Sequence, residues 1–383
     1  MKAIPLFPVA TVGSWPRPPE VLHAQKRKRK GVSGDGEFER VSDQAVLEFL
    51  QLEESIGLDI VTDGELRRDN FYSFVAEKLE GVTLMTLAEM LDLVENKAGF
   101  ERILQTLDVP AYSISNPTCT GRVQRRRALA VDEFEFLRKH TDKPVKIPLP
   151  GPYLLTRSMY VREVSREFYP AKEDLGEDVV RVLREEVREL VDAGVDFIQF
   201  DEPVLTEVVF SQGETRTFMC ASLAAKKDPA EELEFAVSLL NRVVAGFTGV
   251  RIGLHICRGN WSRDESTLLS GSYHPLAHYL KRLHVRQLVL EYATGRAGDV
   301  MSFGDKELGL GVVNPRTDAI ETVGEIVDMA ERALEFVPAD RLFLNPDCGF
   351  GTFSNRPINE SGVASRKLEA IVQAAALLRS RHG

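Results

Sequence analysis

Short apolar runs alternate with longer amphipathic stretches along nearly the whole chain. The stretches at 174–194 and 318–337, for example, repeat apolar residues with helical spacing. The apolar runs are typical of buried strands, and there are eight of them, at residues 7–13, 58–64, 144–150, 195–201, 250–257, 286–291, 308–313 and 341–346. Repeated strand–helix alternation predicts an α/β protein with a parallel sheet and favours a closed (β/α)₈ TIM barrel, with an open doubly wound sheet as the alternative.

Two stretches depart from this repeat. Residues 81–130 intervene between the second and third predicted strands, and 110–130 has the composition of an inserted hairpin or extended excursion. The basic run Lys26–Lys30 is either a nucleic-acid patch or a solvated face, and the acidic balance of the chain favours the solvated face. No linker divides the sequence, so we expect residues 1–383 to form a single catalytic barrel carrying one insert.

Composition limits the classes of function. The 383 residues carry a formal net charge of −10, which argues against nucleic-acid or anionic-membrane partners. No apolar stretch approaches the roughly 20 residues that span a bilayer. The first residues lack the basic start and apolar core of a signal peptide, and four cysteines in so long a chain are no disulfide framework. We therefore expect a cytoplasmic protein without membrane or nucleic-acid partners.

Polar residues cluster where the predicted strands end. In a (β/α)₈ barrel the active site lies at the carboxyl ends of the strands, so these side chains should meet at one mouth. The residues at or just after these ends are Ser14, Asp63, Glu65, Gly151, Pro152, Asp201, Glu202, His255, Cys257, Glu291, Asn314, Asp347 and Cys348.

Four of these residues have the chemistry of a metal site. His255 and Cys257 are two apart on one strand, so their side chains share a face, and Glu291 and Cys348 end two other strands. Two thiolates with one imidazole and one carboxylate suit Zn²⁺, and their spread over three strands favours catalysis over a structural finger. Taken singly, each cysteine could be core packing and Glu291 a salt-bridge partner.

Such a site would activate a thiol. Zinc lowers the pKa of a bound thiol, and an anionic ligand set preserves the nucleophilicity of its sulfur. Alkyl transfer to sulfur therefore fits this set better than hydrolysis. Cys119 and Cys220 lie outside the pattern.

Glu65 and Asp201 form a second, acidic pair at neighbouring strand ends. Paired carboxylates act as general acid and base, or bind the ammonium group of an amino-acid substrate. The alternative is plain charge neutralisation by nearby arginines, for which the candidates are Arg67, Arg68 and Arg258.

Eight segments together resemble the C-terminal catalytic barrel of cobalamin-independent methionine synthase and its short single-barrel relatives. They are TVGSWPRP, DIVTDGELRRDNF, LPGPY, FIQFDEP, HICRGN, LVLEY, LGLGVVNPR and NPDCGF, in family order. The resemblance implies zinc held by His255, Cys257, Glu291 and Cys348. It also implies that Ser14 contacts the carboxylate of homocysteine and that Glu65 and Asp201 contact its amino group, and we take Asp201 and Glu291 as catalytic.

The chain also departs from the family. Full-length synthases carry an additional N-terminal barrel. In those enzymes a Trp shortly after the Gly-Pro turn stacks on the folate ring, whereas residues 151–158 contain none. Where the family has a His after the seventh strand, this chain offers Asn314 and Arg316. Both departures fall on the side of the methyl donor.

Three functions follow. The first is a zinc-dependent methyltransferase that makes methionine from homocysteine, with methyltetrahydrofolate or a methylated corrinoid as donor, the latter carried by a partner protein. The second is opening of an epoxide by zinc-bound coenzyme M, because TDGELRR, HTDKPVKIPLPGP and PDCG also resemble epoxyalkane:coenzyme M transferases. The third is a non-catalytic zinc-binding or cobamide-binding barrel.

Overall fold

A parallel β-sheet forms the centre of the molecule. The computed structural model describes residues 2–32, 34, 36–93, 97–98, 101, 115–211, 228–354 and 357–383. Six strands of the sheet lie side by side in chain order, all parallel. The strands in chain order are β1 (Leu79–Thr86), β2 (Ser115–Arg125), β3 (Lys146–Pro150), β4 (Phe197–Asp201), β5 (Arg251–Ile256), β6 (Gln287–Leu290), β7 (Glu307–Val313) and β8 (Leu342–Pro346), of which β3–β8 form this sheet.

Two further segments close the sheet into a barrel. Val9 forms a parallel bridge with Leu344 of β8, and Val61 forms one with Val145 beside β3. Ala10 bridges to Ile60, which joins the two segments to each other. The predicted runs 7–13 and 58–64 are thus the remaining two of the eight strands that form the barrel wall, which we call its staves. The (β/α)₈ prediction is therefore confirmed. These two segments pair through isolated bridges only.

Helices connect the staves and cover their outer faces. The described helices are α1 (Pro19–Arg29), α2 (Glu37–Ile56), α3 (Leu87–Leu91), α4 (Val131–Arg138), α5 (Pro152–Met159), α6 (Arg162–Ser165), α7 (Lys172–Asp192), α8 (Val204–Phe210), α9 (Pro229–Val244), α10 (His274–Arg282), α11 (Val323–Ala333) and α12 (Ser361–His382). Short 3₁₀ turns occupy Ser73–Glu77, Glu265–Thr267, Gly295–Ala297 and Ala339–Arg341.

The two stretches with helical spacing correspond to α7 and α11, although α11 starts later than its pattern predicts. Thr322 and Glu325 form a capping box: Glu325 N donates to Thr322 Oγ1 at 3.2 Å, and Thr322 N donates to the Glu325 carboxylate at 2.8 Å. This cap sets the first turn, so residues 318–321 lie outside the helix. Within the described ranges, no helix is long and apolar enough to cross a bilayer.

The predicted insert contains an antiparallel pair. β1 and β2 pair with a register shift between Glu80 and Val82. Gly81 sits at this shift with φ +73°, and a Cβ there would lie 2.3 Å from the carbonyl oxygen of Arg122, so the bulge requires glycine. Residues 115–125 are thus one extended strand that pairs with 79–86, which agrees with the extended excursion predicted for 110–130 and not with a hairpin formed within it. Residues 102–114 lie outside the described part of the chain.

The basic run lies at the C-terminal end of α1 and continues to Lys30, and its side chains are exposed. Arg27 pairs with Glu37, and Lys28 pairs with Glu39 at 2.9 Å. The run therefore forms a solvated helix face whose charges are balanced by the following helix, as the acidic composition favours.

Candidate active site

The carboxyl ends of the staves surround one cavity with an empty volume of about 640 Å³. Six residues chosen from the sequence line it: Ser14, Glu65, Asp201, His255, Cys257 and Cys348. Barrel topology explains this meeting, because parallel strands bring their carboxyl ends to one mouth.

His255, Cys257 and Cys348 form a group that could hold a metal ion. One ligand atom from each lies within 4.8 Å of the other two. The Nδ1 atom of His255 is 3.1 Å from the carbonyl oxygen of Val289. Its Nε2 atom is buried and has no hydrogen-bond partner among the described residues. A donor bond from Nδ1 fixes the tautomer that leaves the Nε2 lone pair for a metal.

The two sulfurs are spaced for shared ligation. Sγ of Cys348 lies 4.0 Å from Sγ of Cys257. A disulfide would need about 2.05 Å, whereas two thiolates about 2.3 Å from one tetrahedral zinc lie about 3.8 Å apart. The donor set and its spacing therefore fit zinc.

The two thiols shift each other's pKa in opposite directions. The hydrogen bond from Cys348, together with the neighbouring His255, holds the pKa of Cys257 well below its usual range. The same hydrogen bond and burial raise the pKa of Cys348. One thiolate shared between two sulfurs, beside an imidazole, is a preformed site for a soft cation.

Glu291, the fourth predicted ligand, is buried beside this group but bonded elsewhere. Its Oε1 accepts from Nε of Arg296 at 2.6 Å, and its Oε2 accepts from Arg258 N at 3.0 Å and from Asn260 Nδ2 at 3.2 Å. Its oxygens are outside the group whose atoms lie within 4.8 Å of one another. Metal ligation by Glu291 stays a prediction.

Glu65 has the features of a ligand-binding carboxylate. Its φ is +52°, an uncommon conformation that is held by the bond from its own N–H to Asp63 Oδ1 at 2.9 Å. Its Oε2 is buried without a hydrogen-bond partner among the described residues. A Cβ at Gly13 would lie 2.3 Å from Glu65 Oε1, so the glycine makes room for the carboxylate. Burial raises the pKa of Glu65 to about 7.

Asp201 completes the acidic pair. It is buried, and its Oδ1 accepts a hydrogen bond from Nε2 of Gln199 at 2.9 Å. Burial raises the pKa of Asp201 to about 6. Both carboxyls thus titrate near neutrality, and the charged form of each gains from a cationic ligand.

The three candidate neutralising arginines have other partners. Arg67 pairs with Asp43 at 2.6 Å, and Arg68 pairs with the buried Glu133. Arg258 donates to the carbonyl oxygen of Gly271 and lies over the ring of Tyr273. None of the three forms an ion pair with Glu65 or Asp201, although the nearby charge of Arg68 still lowers the pKa of Glu65 against the larger effect of burial.

Ser14 is held against the segment that carries Cys348. Its carbonyl oxygen accepts from Phe350 N at 2.8 Å, and a Cβ on Gly349 would lie 2.2 Å from Ser14 Oγ. Ser14 thus lines the cavity beside the segment that carries Cys348.

Other strand-end residues have structural roles. Glu202 accepts hydrogen bonds from the backbone N–H groups of Tyr153 at 2.7 Å and Leu154 at 2.8 Å. It thereby provides acceptors for N–H groups in the first turn of α5 that have no partner within the helix. Asp347 accepts from Tyr292 N and Ala293 N, both at 2.9 Å. Arg316 donates to Asn260 at 3.0 Å. Position after a strand therefore does not by itself identify a cavity residue.

Sequence reasoning missed the aromatic wall of the cavity. Phe71, Tyr72, Trp261 and Phe353 line it together with Asn260. They lie in loops after three different strands of the barrel. Loops have no regular spacing of apolar residues from which such positions could be predicted, although Trp261 directly follows the motif HICRGN. The residues of α5, where the family's stacking Trp would fall, are buried and do not line the cavity.

Comparison with known proteins gives one consistent result. The family model described as "Cobalamin-independent synthase, Catalytic domain" matches residues 7–376. A methionine synthase of Saccharolobus solfataricus is 28% identical over 99% of this chain and 97% of its own length. A 5-methyltetrahydropteroyltriglutamate–homocysteine methyltransferase of Thermotoga maritima is 26% identical over 91% of this chain, which spans 42% of that protein.

A solved structure is similar over the whole length. The B12-independent methionine synthase of Shewanella sp. W3-18-1, in complex with selenomethionine, superimposes with a TM-score of 0.73 and 26% identity. The superposition covers 98% of both chains. The fold is therefore shared over nearly the whole length of both chains.

Proposed function

This chain belongs to the family of cobalamin-independent synthase catalytic domains, and from that premise we propose that it is a zinc-dependent methyltransferase that forms methionine from homocysteine. One observation carries the proposal: the His255–Cys257–Cys348 group and Glu65, whose Oε2 has no hydrogen-bond partner among the described residues, line the same cavity. A thiol-activating centre beside an ammonium-binding carboxylate suits an amino acid that carries a thiol. The names of the relatives support the same substrate.

His255, Cys257 and Cys348 would hold the zinc, with Glu291 as the fourth ligand. Bound zinc would lower the pKa of the homocysteine thiol, so that a thiolate is present at neutral pH. Glu291 would keep its bonds to Arg296 and the neighbouring Asn260 amide. These bonds compensate its buried charge within the protein.

The cavity residues would orient the rest of homocysteine. Ser14 would donate its hydroxyl hydrogen to the substrate carboxylate, and Glu65 and Asp201 would accept hydrogen bonds from the ammonium group. Three contacts at one end of the molecule fix the direction of its sulfur. The sulfur would then attack the methyl carbon in line with the leaving nitrogen of the donor, so that a sulfur–carbon bond forms while the carbon–nitrogen bond breaks and the nitrogen takes up a proton from solvent. Much of the rate enhancement would come from this positioning.

We propose a methyltetrahydrofolate as the donor. The Thermotoga relative is named for 5-methyltetrahydropteroyltriglutamate, and the family is described as cobalamin-independent. These names favour a folate over a methylated corrinoid. The aromatic wall offers faces on which a flat pterin ring can stack. The single-barrel organisation and the cytoplasmic location predicted from the sequence are parts of the same proposal.

The charge of the cavity disfavours coenzyme M. Among the described residues, the lining contains no Lys or Arg to receive a sulfonate. It contains two carboxylates instead, which would repel that group. The epoxide-opening alternative therefore has no recognition element here, whereas the amino group of homocysteine has two.

A purified, zinc-loaded protein tests the function directly. We expect methionine to form when homocysteine and 5-methyltetrahydropteroyltriglutamate are supplied together, with mass spectrometry as the readout. No methionine with either the folate or a methylated corrinoid would refute the proposal. Turnover of coenzyme M with an epoxide would replace it by the alternative.

Two matched cysteine variants test the metal centre. We expect Cys348→Ser to lose most bound zinc and turnover. Cys119→Ser should keep both, because Cys119 is buried in the β1–β2 hairpin region and its thiol is bonded to Gly121 O at 3.2 Å. Full zinc content in Cys348→Ser, measured by elemental analysis, would contradict the assigned ligand set.

A further inference from the structure

Lys146 carries a positive charge inside the barrel. It opens β3, and only 1% of its surface is exposed. Its Nζ donates to the carbonyl oxygen of Thr11 and to Oε1 of Gln199, the latter at 3.0 Å. A buried ammonium group is costly unless neighbouring groups compensate it, so its position in the interior requires an explanation.

The lysine determines how the Gln199 amide is oriented. An ammonium group can only donate, so the amide must present its oxygen to Lys146. Its Nε2 then points the other way and donates to the carbonyl oxygen of Val12 and to Oδ1 of Asp201, both at 2.9 Å. The flipped amide would place N–H against ammonium and oxygen against carboxylate, and both contacts would be repulsive.

The chain of bonds ends at the cavity. Gln199 and Asp201 are two apart on β4, so their side chains share the inward face. Asp201 lines the cavity, whereas Gln199 and Lys146 lie deeper in the barrel and do not. The bond from Gln199 occupies Oδ1 of Asp201 and fixes the plane of its carboxylate.

Charge acts in the same direction as geometry. Burial lowers the pKa of Lys146 to about 8, and Asp201, Glu53 and Glu65 oppose that shift. The same three carboxylates surround the ammonium group, so Lys146 is compensated in the interior and can hold the Gln199 amide.

We infer that Gln199, held by Lys146, is a positioning residue that presents the Asp201 carboxylate to the amino group of the substrate. The inference rests on the proposed function, because it requires a substrate with an ammonium group. It adds two residues that touch no ligand and yet control recognition. Loss of either should weaken the contact to the amino group and leave the contact between the thiol and the metal unchanged.

Two thiol ligands distinguish the contact to the amino group from the contact between the thiol and the metal. Homocysteine carries the amino group, and 4-mercaptobutyrate is the same chain without it. Their dissociation constants, measured by calorimetry on the zinc-loaded protein, give the amino-group preference of each variant as a ratio. We expect Gln199→Met to reduce this ratio by about tenfold or more, the usual effect of losing a hydrogen bond to a charged group. Lys146→Met should change it in the same direction.

Gln287→Met is the matched control. Gln287 is another buried glutamine, at the start of β6, and its Nε2 has no hydrogen-bond partner among the described residues. Its substitution should leave the ratio unchanged. If Gln199→Met does not fold, Gln199→Asn retains an amide that is too short to reach both Lys146 and Asp201, and it should give the same loss.

The outcomes are separable. A loss of affinity for both thiols by the same factor would overturn the inference, because the role of Gln199 would then be purely structural. An unchanged ratio in Gln199→Met and Lys146→Met would overturn it too. A wild-type protein that binds the two thiols equally would instead refute the ammonium subsite of the proposed function, and the inference with it.

Discussion

Arg296 donates from its Nε to Oε1 of Glu291 at 2.6 Å, and both side chains are almost wholly buried. Under the proposed function, Glu291 would be the fourth zinc ligand, and Arg296 is the cation that already holds its carboxylate. Arg296 would then limit how firmly Glu291 can bind the metal, because one carboxylate oxygen is already paired with the guanidinium group.

Replacing Arg296 should remove this limit. In Arg296→Met the buried carboxylate loses its counter-charge, so Glu291 should bind the metal more firmly. We expect slower loss of zinc to a chelator and homocysteine binding weakened by about tenfold. Cobalt substitution makes the ligand change visible as an altered absorption spectrum upon thiol addition.

A surface arginine provides the control for this experiment. Arg263 pairs with Asp318 at 2.7 Å near the protein surface, and Arg263→Met should leave the rate of zinc loss unchanged. Faster zinc loss in Arg296→Met than in the wild type would show that Arg296 supports the metal site instead of competing with it.

Acidification should remove the preference for the amino group. The folded-state pKa is raised to about 7 in Glu65 and to about 6 in Asp201, chiefly by burial. Both carboxyls are therefore ionised at about pH 8 and largely protonated at about pH 5, while an α-amino group of a free amino acid stays charged. The ratio of 4-mercaptobutyrate to homocysteine dissociation constants should fall across this range.

The ratio isolates the carboxyls, because any titration of the thiols or of the metal site affects both ligands alike. Glu65→Gln provides a second check. It should give a small ratio already at about pH 8 and a weaker dependence on pH below it. A ratio that stays constant between about pH 8 and pH 5 would exclude Glu65 and Asp201 as the ammonium site.

The pattern of eight apolar runs in the sequence was sufficient to predict the barrel. It also predicted that His255, Cys257 and Cys348 lie close together. Runs of apolar residues identify the strands, and closure of parallel strands into a barrel brings their carboxyl ends to one side. The link from Lys146 to Gln199 depends on the register of β3 against β4, and the pair Arg296–Glu291 depends on the path of a loop. The spacing of apolar residues contains no information on strand register or on the path of a loop, so neither interaction was predicted from the sequence.

A side chain at Gly13 should displace the carboxylate of Glu65. A Cβ there would lie 2.3 Å from Oε1 of Glu65 and 3.3 Å from Cγ of Pro148. The terminal oxygen of Glu65 would have to move away, and this changes its position in the cavity. We expect Gly13→Ala to displace the carboxylate and weaken homocysteine binding by about tenfold or more, with a much smaller effect on 4-mercaptobutyrate.

Gly362→Ala is the matched substitution, because a Cβ at Gly362 meets nothing within 4 Å. It lies in the first turn of α12, where alanine should be tolerated or slightly stabilising. Equal thermal stability of the two variants together with a loss of homocysteine binding in Gly13→Ala alone would locate the effect at the site. Unchanged binding in Gly13→Ala would show that Glu65 has room to move without cost.

The aromatic wall should control the methyl donor and not the thiol. Trp261 and Phe353 line the cavity, and the segment where the family's stacking Trp would fall is buried in α5. If the donor ring stacks on this wall, Trp261→Leu and Phe353→Leu should each raise the KM for the folate by about tenfold. The dissociation constant of homocysteine should stay within about twofold, because neither ring supplies a contact to its charged groups.

Phe303→Leu is the control. The ring of Phe303 is buried edge-on against that of Tyr273, with 6.4 Å between the ring centres, and it does not line the cavity. An equal rise in KM for Phe303→Leu would attribute the effect to packing, whereas a rise confined to the two wall residues would place the donor against them.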